Sequence, residues 1–225
     1  MSSDAAKSRR SPQSEERVRD AERSCRALVD AALSEFSAKG YAGTRVQDIA
    51  NRAGLNKQLI SYYFGGKEGL YREIQRRSAE RGKVDADADQ TLEEIALQYL
   101  DAGLRDPRYI RLALWRGLTD PAEFENADVD VLEDQMLDQD VANVERAQAR
   151  GEIAADLDPG FVRLVLMSII MAPGVLPRSA HHLLGHDPGS AEFRAKYGEQ
   201  VQRLIAHLQD HGPDATGDRP SHQSD

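Results

Sequence analysis

One cysteine, Cys25, stands among 225 residues, so no internal disulfide can form and a reducing cytoplasm is the expected setting. No apolar run approaches the roughly 18 residues of a membrane-spanning helix. The opening residues, MSSDAAKSRRSPQSEER, hold no apolar core of the signal-peptide kind. No stretch alternates apolar and polar residues between turn signals, which removes any convincing strand. GxxxxGK[ST], GxSxG and HExxH are all missing, and with them the phosphate cradle, the nucleophile elbow and the zinc-protease helix. Carboxylates are abundant, yet nothing sets one pair in an apolar pocket. The sequence therefore leads to no enzyme, no cofactor and no metal site.

What is present suits a globular protein: 40% apolar residues and a length that allows one large domain or two smaller ones. The net charge of −9 is divided unevenly. Residues 1–83 carry 17 Lys/Arg against 11 Asp/Glu, and residues 84–225 carry 12 against 27. A basic first third can be drawn to phosphate while an acidic remainder is repelled from it.

Thr44 to Lys67 (TRVQDIANRAGLNKQLISYYFGGK) reads as helix, tight turn, helix. Thr44 and Gln47 have capping-box spacing. Val46, Ile49, Ala50 and Ala53 recur at helical intervals, and Gly54 stands where a chain leaves a helix through a left-handed residue. Asn56 is an N-cap for the second helix, with Leu55 and Ile60 at the positions of a hydrophobic staple. Two short helices joined by such a turn form the helix-turn-helix, whose second helix enters the DNA major groove.

The preceding EFSAKGYAGT (Glu35–Thr44) and VQDIANRAGLNKQLISYYFGGKEGLY (Val46–Tyr71) together resemble the N-terminal domain of the TetR family of transcriptional regulators. The similarity spans about Arg17 to Ile74, with Gly-Tyr, Thr, Ile-Ala, Ala-Gly, Lys, Tyr-Phe and Lys-Glu in order. It implies an all-α protein: a three-helix helix-turn-helix domain followed by a helical ligand-binding and dimerisation domain. It further implies a ligand-responsive regulator, most often a repressor, that binds a palindromic double-stranded operator as a homodimer through its last two long helices.

The expected organisation is an arm over 1–14, the DNA-binding domain over 15–66, the regulatory domain over 67–211 and a tail over 212–225. About nine helices are expected. The first spans Glu16–Lys39, with Val18, Ala21, Cys25, Leu28, Ala32 and Phe36 on one buried stripe, and Gly40 ends it. Lys67 opens a helix bearing Leu70 and Ile74. Five more follow: Thr91–Arg105, Pro107–Leu118, Ala127–Arg150 closed by Gly151, Phe161–Met171 after an Asp158-Pro159 cap, and Ser190–Gln209. The segment FVRLVLMSIIM is apolar nearly all round, which requires burial on more than one side.

On the second motif helix, Ile60 and Phe64 face inward and leave Lys57, Gln58, Ser61 and Tyr62 toward the groove, with Leu59 and Tyr63 at its margins. Lys57 can reach guanine or a phosphate and Gln58 can pair with adenine, while Ser61 and Tyr62 suit phosphate. Thr44, Arg45 and Gln47 lie at a positive helix N-terminus. Lys67 matches a phosphate contact of the family. Leu59 and Ser61 depart from the residues common there, so the base-by-base code does not carry over.

In the second domain the resemblance implies a small-molecule effector, unknown in identity. Tyr99, Trp115, Phe124, Met136, Met167 and Met171 are candidate pocket residues, because Met adapts its shape and Trp or Tyr adds a polar handle. From Asp120 to Asp140 there are nine acidic residues and no basic one, the pattern of a solvated face or, alternatively, an entrance for a cation. His181, His182, His186 and Asp187 gather near a loop without zinc-finger spacing. The competing functional class is a helical small-molecule-binding protein that no longer binds DNA; the intact Thr44–Lys67 block weighs against it.

Overall fold

The computed structural model describes residues 14–82, 89–118 and 127–208, and among these it contains ten helices and no strand. They form two compact units that divide between Arg77 and Ser78. The first unit holds α1 (Ser14–Gly43), α2 (Val46–Ala53), α3 (Gln58–Phe64) and most of α4 (Lys67–Gly82). The second holds the end of α4, α5 (Leu92–Arg105), α6 (Pro107–Leu118), α7 (Ala127–Ala149), α8 (Pro159–Val175), α9 (Pro177–Leu184) and α10 (Ala191–His207). The expected arm and tail and the interruption at Pro121 lie outside the described residues, except that Ser14 already belongs to α1.

In the first unit α1 breaks at Gly40, whose φ of 69° would strain any residue with a Cβ. Leu28, Ala32 and Phe36 are fully buried, but Val18 is 57% exposed and Cys25 only partly covered. The expected stripe is therefore buried only from Leu28 onward. The reason is length: a 30-residue helix outruns the eight- and seven-residue helices of the motif. Phe36, Tyr41 and Tyr71 form an aromatic cluster with centroids 4.9–5.9 Å apart, Tyr41 stacked on Phe36 and Tyr71 meeting both at steep angles. The buried Glu35 carboxylate holds α1 to α2, paired with Arg52 at 2.7 Å and Lys39 at 2.6 Å. Those two cations hold its carboxyl below the usual range, hydrogen bonding from Lys39 being the larger cause.

The capping box at Thr44 does not form. Thr44 is buried and its hydroxyl donates to the Gly40 carbonyl at 2.8 Å, because the chain leaving the Gly40 break needs that carbonyl satisfied. Arg45 takes the N-cap position of α2 with no side-chain cap bond, and Gln47 donates to Asn51 instead.

In the second unit α5 packs against α8 and α10, and α7 and α6 pack against α8. Leu92, Ala96, Leu100 and Leu104 of α5 meet Val162, Leu166 and Ile170 of α8 and Phe193, Val201 and Ile205 of α10 in one apolar core. Three of these helices begin on local side-chain caps: a full capping box at Thr91 and Glu94, Asp158 accepting from the Phe161 N–H, and Ser190 accepting from Phe193. Two expectations change. His181 and His182, expected near a loop, lie on α9, a tenth helix. In addition, α8 runs four residues beyond Met171, and in the single chain one flank stays open, with Phe161 and Leu164 more than half exposed.

Candidate functional site

The turn between α2 and α3 is built from backbone chemistry that the local residues dictate. Gly54 adopts φ 67°, its N–H donates to Asn51 and the Leu55 N–H to Ala50, closing the carbonyl end of α2. The Asn56 side chain then accepts from the Gln58 N–H at 2.9 Å, which is the capping role its position suggests. Ile60 is fully buried and anchors α3, while Phe64 is only partly covered.

With Ile60 inward, Lys57, Gln58, Ser61 and Tyr62 all project to solvent. Tyr62 is 79% exposed, which leaves its ring and hydroxyl available to a partner. Tyr63 is half-buried between the rings of Tyr62 and Phe64. Arg45 is exposed at the start of α2, where the uncapped first turn leaves N–H groups open to an anion. Gln47 is exposed but tied to Asn51. Thr44 is the residue that departs from the expected set, since it faces inward with its hydroxyl committed. Lys67 rests its ammonium 4.1 Å over the Tyr41 ring, and partial burial pushes it below the usual lysine value.

Sequence reasoning missed Gly69. A Cβ there would lie 1.8 Å from the Phe64 carbonyl oxygen, so only glycine lets the start of α4 fold against the end of α3. Isolated glycine in a helical pattern was the available signal.

The second unit carries a cavity of about 710 Å³, open to solvent on one side, between the end of α4 and helices α5, α6, α7 and α8. That falls within the roughly 300–1,000 Å³ usual for small-molecule sites. Tyr99, Met136, Met167 and Met171 line it together with Ile110, Leu137 and Ile170. Trp115 does not line it and is 38% exposed on α6; Phe124 lies outside the described residues. Ile110 fits closely because Gly103 and Gly174 flank it: a Cβ at either would approach its δ-methyl to 3.0 and 2.8 Å.

Polar groups gather at two places on the wall. Asp140, 4% exposed, accepts from the Tyr99 hydroxyl at 2.9 Å and from Arg163 Nε at 2.7 Å. Arg116 pairs with Glu133 and, at 3.2 Å, with Asp130. Part of the acidic run therefore faces the cavity instead of forming a wholly solvated surface. No group of three or more His, Cys, Asp or Glu among the described residues is arranged to hold a metal ion. His186 instead accepts from Lys196 at 2.7 Å.

The family model for bacterial regulatory proteins of the tetR family matches residues 28–74, and a tetracyclin repressor-like C-terminal domain model matches residues 91–203. The chain is 26% identical over 192 residues to the HTH-type transcriptional repressor SCO4008 of Streptomyces coelicolor, covering 84% of this chain and 98% of that protein. It is 30% identical over 104 residues to the HTH-type transcriptional repressor NicS of Pseudomonas putida, covering 43% and 49% respectively. Among solved structures, the transcriptional regulator SCO4942 of Streptomyces coelicolor aligns with a TM-score of 0.60 at 27% identity, over 80% of this chain and 96% of that one. KstR2 of Mycobacterium tuberculosis, a ketosteroid transcriptional regulator, has the same fold at TM-score 0.63 and 16% identity, over 81% and 93%.

Proposed function

The chain belongs to the TetR family of bacterial regulatory proteins, and from that membership we propose that it represses transcription from a palindromic operator and releases it when a small molecule fills the cavity. It is a DNA-binding regulator of the helix-turn-helix class, and its relatives are regulators, not enzymes. The observation that carries the reading is the outer face of α3. Lys57, Gln58, Ser61 and Tyr62 stand in solvent on a helix pinned from behind by Ile60, where a major groove can take them up. Arg45 and the uncapped start of α2 take a phosphate, as does Lys67. Gln47 trades its bond with Asn51 for a contact to DNA, and Tyr63 borders the groove. Thr44 acts from within, by fixing the entry of α2.

A palindrome calls for two recognition helices related by a twofold axis. The open flank of α8, with Phe161 and Leu164, and the exposed Leu204 of α10 supply apolar surface for a second copy. The effector reading rests on the cavity: Tyr99, Met136, Met167 and Met171 give it an adaptable apolar wall. A ligand that favours the conformer gripping DNA poorly weakens operator binding, and operator weakens ligand binding by the same factor. The regulator works in the cytoplasm, where its operator is. Light scattering tests the dimer. Selection of bound fragments from sheared genomic DNA, followed by a search for inverted repeats, tests the operator; recovery of sequences no different from random overturns the reading.

A further inference from the structure

The polar side chains lining the cavity fall into two sets. One set is already satisfied: Asp140 with Tyr99 and Arg163, and Arg116 with Glu133 and Asp130. The other set is Ser78, Arg81 and Tyr109. Among the described residues, neither of those two hydroxyls has a hydrogen-bond partner, and Arg81 has no carboxylate within ion-pair distance. Arg81 instead lies with its guanidinium 5.0 Å from the centroid of the Tyr109 ring. The carboxylate whose charge reaches it, Asp106, already accepts three hydrogen bonds from Arg108. Ser78 and Arg81 are three residues apart on α4 and therefore share a face.

What is left over decides what is missing. Arginine only donates, and the hydroxyls of Ser78 and Tyr109 each have a proton to give. Arg81 is solvent-exposed and Ser78 and Tyr109 are partly so; an acceptor carrying negative charge competes there with water, and it forms the shortest and strongest hydrogen bonds with guanidinium. A cationic ligand has a harder task. It has to share Glu133, Asp130 or Asp140 with an arginine that each already serves, and Arg116 and Arg163 repel it. We propose that Ser78, Arg81 and Tyr109 form an anion subsite, and that the cavity takes an apolar molecule bearing one anionic group. The carboxylate or sulfonate sits on Arg81 and the apolar body lies along Met136, Met167 and Met171. This assignment rests on the cavity being the effector site.

Two fluorescent probes with the same aromatic body separate the two ideas: anilinonaphthalene sulfonate, which is anionic, and N-phenylnaphthylamine, which is neutral. Both are titrated into the full chain, into Arg81→Gln, and into two blocking variants, Met167→Trp and Leu137→Trp, each checked for unchanged helical circular dichroism. The wild type is expected to bind the sulfonate at least about tenfold more tightly than the neutral probe. Arg81→Gln should erase that preference while leaving the neutral probe's affinity unchanged, and the blocking variants should weaken both probes. No preference in the wild type, or an equal loss of both probes in Arg81→Gln, overturns the anion subsite. If the blocking variants also weaken both, the cavity still stands as a binding site. Blocking variants that leave both probes bound as before overturn the cavity reading and the subsite with it.

Discussion

The two units dispose of their polar side chains in opposite ways. On the motif of the first unit the uncommitted groups face outward: Lys57, Gln58, Ser61 and Tyr62 are exposed over a fully buried Ile60. In the second unit, much of the polar chemistry faces a cavity and is bound up in pairs, with Asp140 and Arg163 nearly out of solvent. An outward set of donors on a rigid helix suits a large charged partner already present in solution. An inward set, largely prepaired, suits a small partner that must fit the remaining groups. Substitutions should therefore separate cleanly, with stability lost at inward positions and affinity lost at outward ones.

The largest effect is expected at Asp140. Asp140→Ala leaves the largely buried Arg163 and the Tyr99 hydroxyl without their acceptor and should destabilise the protein by about 3–5 kcal/mol, read as a lower urea midpoint. An effect below about 1 kcal/mol would mean the pair behaves as if on the surface. Next comes Gly69→Ala. Its Cβ has no room beside the Phe64 carbonyl, so a loss of about 3 kcal/mol is expected, with operator binding falling as α3 shifts. Retention of wild-type melting and wild-type affinity contradicts the close approach of α3 and α4.

Lys57→Ala and Tyr62→Ala belong to the outward class. Each should weaken operator binding by about 1–3 kcal/mol and leave the melting temperature alone, since neither side chain is buried. Lys57→Ala should also lower the salt dependence if it meets a phosphate. Thr44→Val sharpens the comparison from within the motif. It keeps the shape but deprives the Gly40 carbonyl of its donor, for an expected cost of about 1 kcal/mol in stability. Weakened operator binding with unchanged stability would instead make Thr44 a contact residue.

The smallest effect concerns acid. Because the folded-state pKa of Glu35 is depressed, its contribution is complete above the ordinary carboxylate range and disappears as pH falls through the folded value. Lys39 and Arg52 are each about half exposed, 46% and 54%, so screening keeps the contribution modest. Glu35→Gln should flatten the acid limb of the stability profile; an unchanged limb places the acid sensitivity elsewhere.

How much the sequence discloses follows the range of the interactions involved. The motif was legible because its signals are local: Gly54 in the left-handed region, Asn56 accepting from the Gln58 N–H two residues on, Ile60 inward. Thr44 misled because the same residue type can accept at a helix start or donate to the preceding turn, and the break at Gly40 selects the second. The helix α9 escaped because it is only eight residues long, Pro177 to Leu184, too short for a helical period to be told from a turn. The cavity could be populated with candidate residues but not drawn. Tyr99, Met136 and Met167 come from three helices, and nothing local sets Trp115 apart from them. The glycines that admit Ile110 act across elements, where spacing along the chain is silent.

The most direct test of the central claim is fluorescence anisotropy of the full chain on DNA recovered by genomic selection, across a salt series, with the Lys57→Ala, Tyr62→Ala double variant beside it. Specific binding by the wild type, lost in the double variant at unchanged melting temperature, is the result expected of a regulator that reads DNA with α3. Equal affinity of wild type and double variant for the selected DNA, or a wild type that prefers no sequence over random duplex, contradicts it.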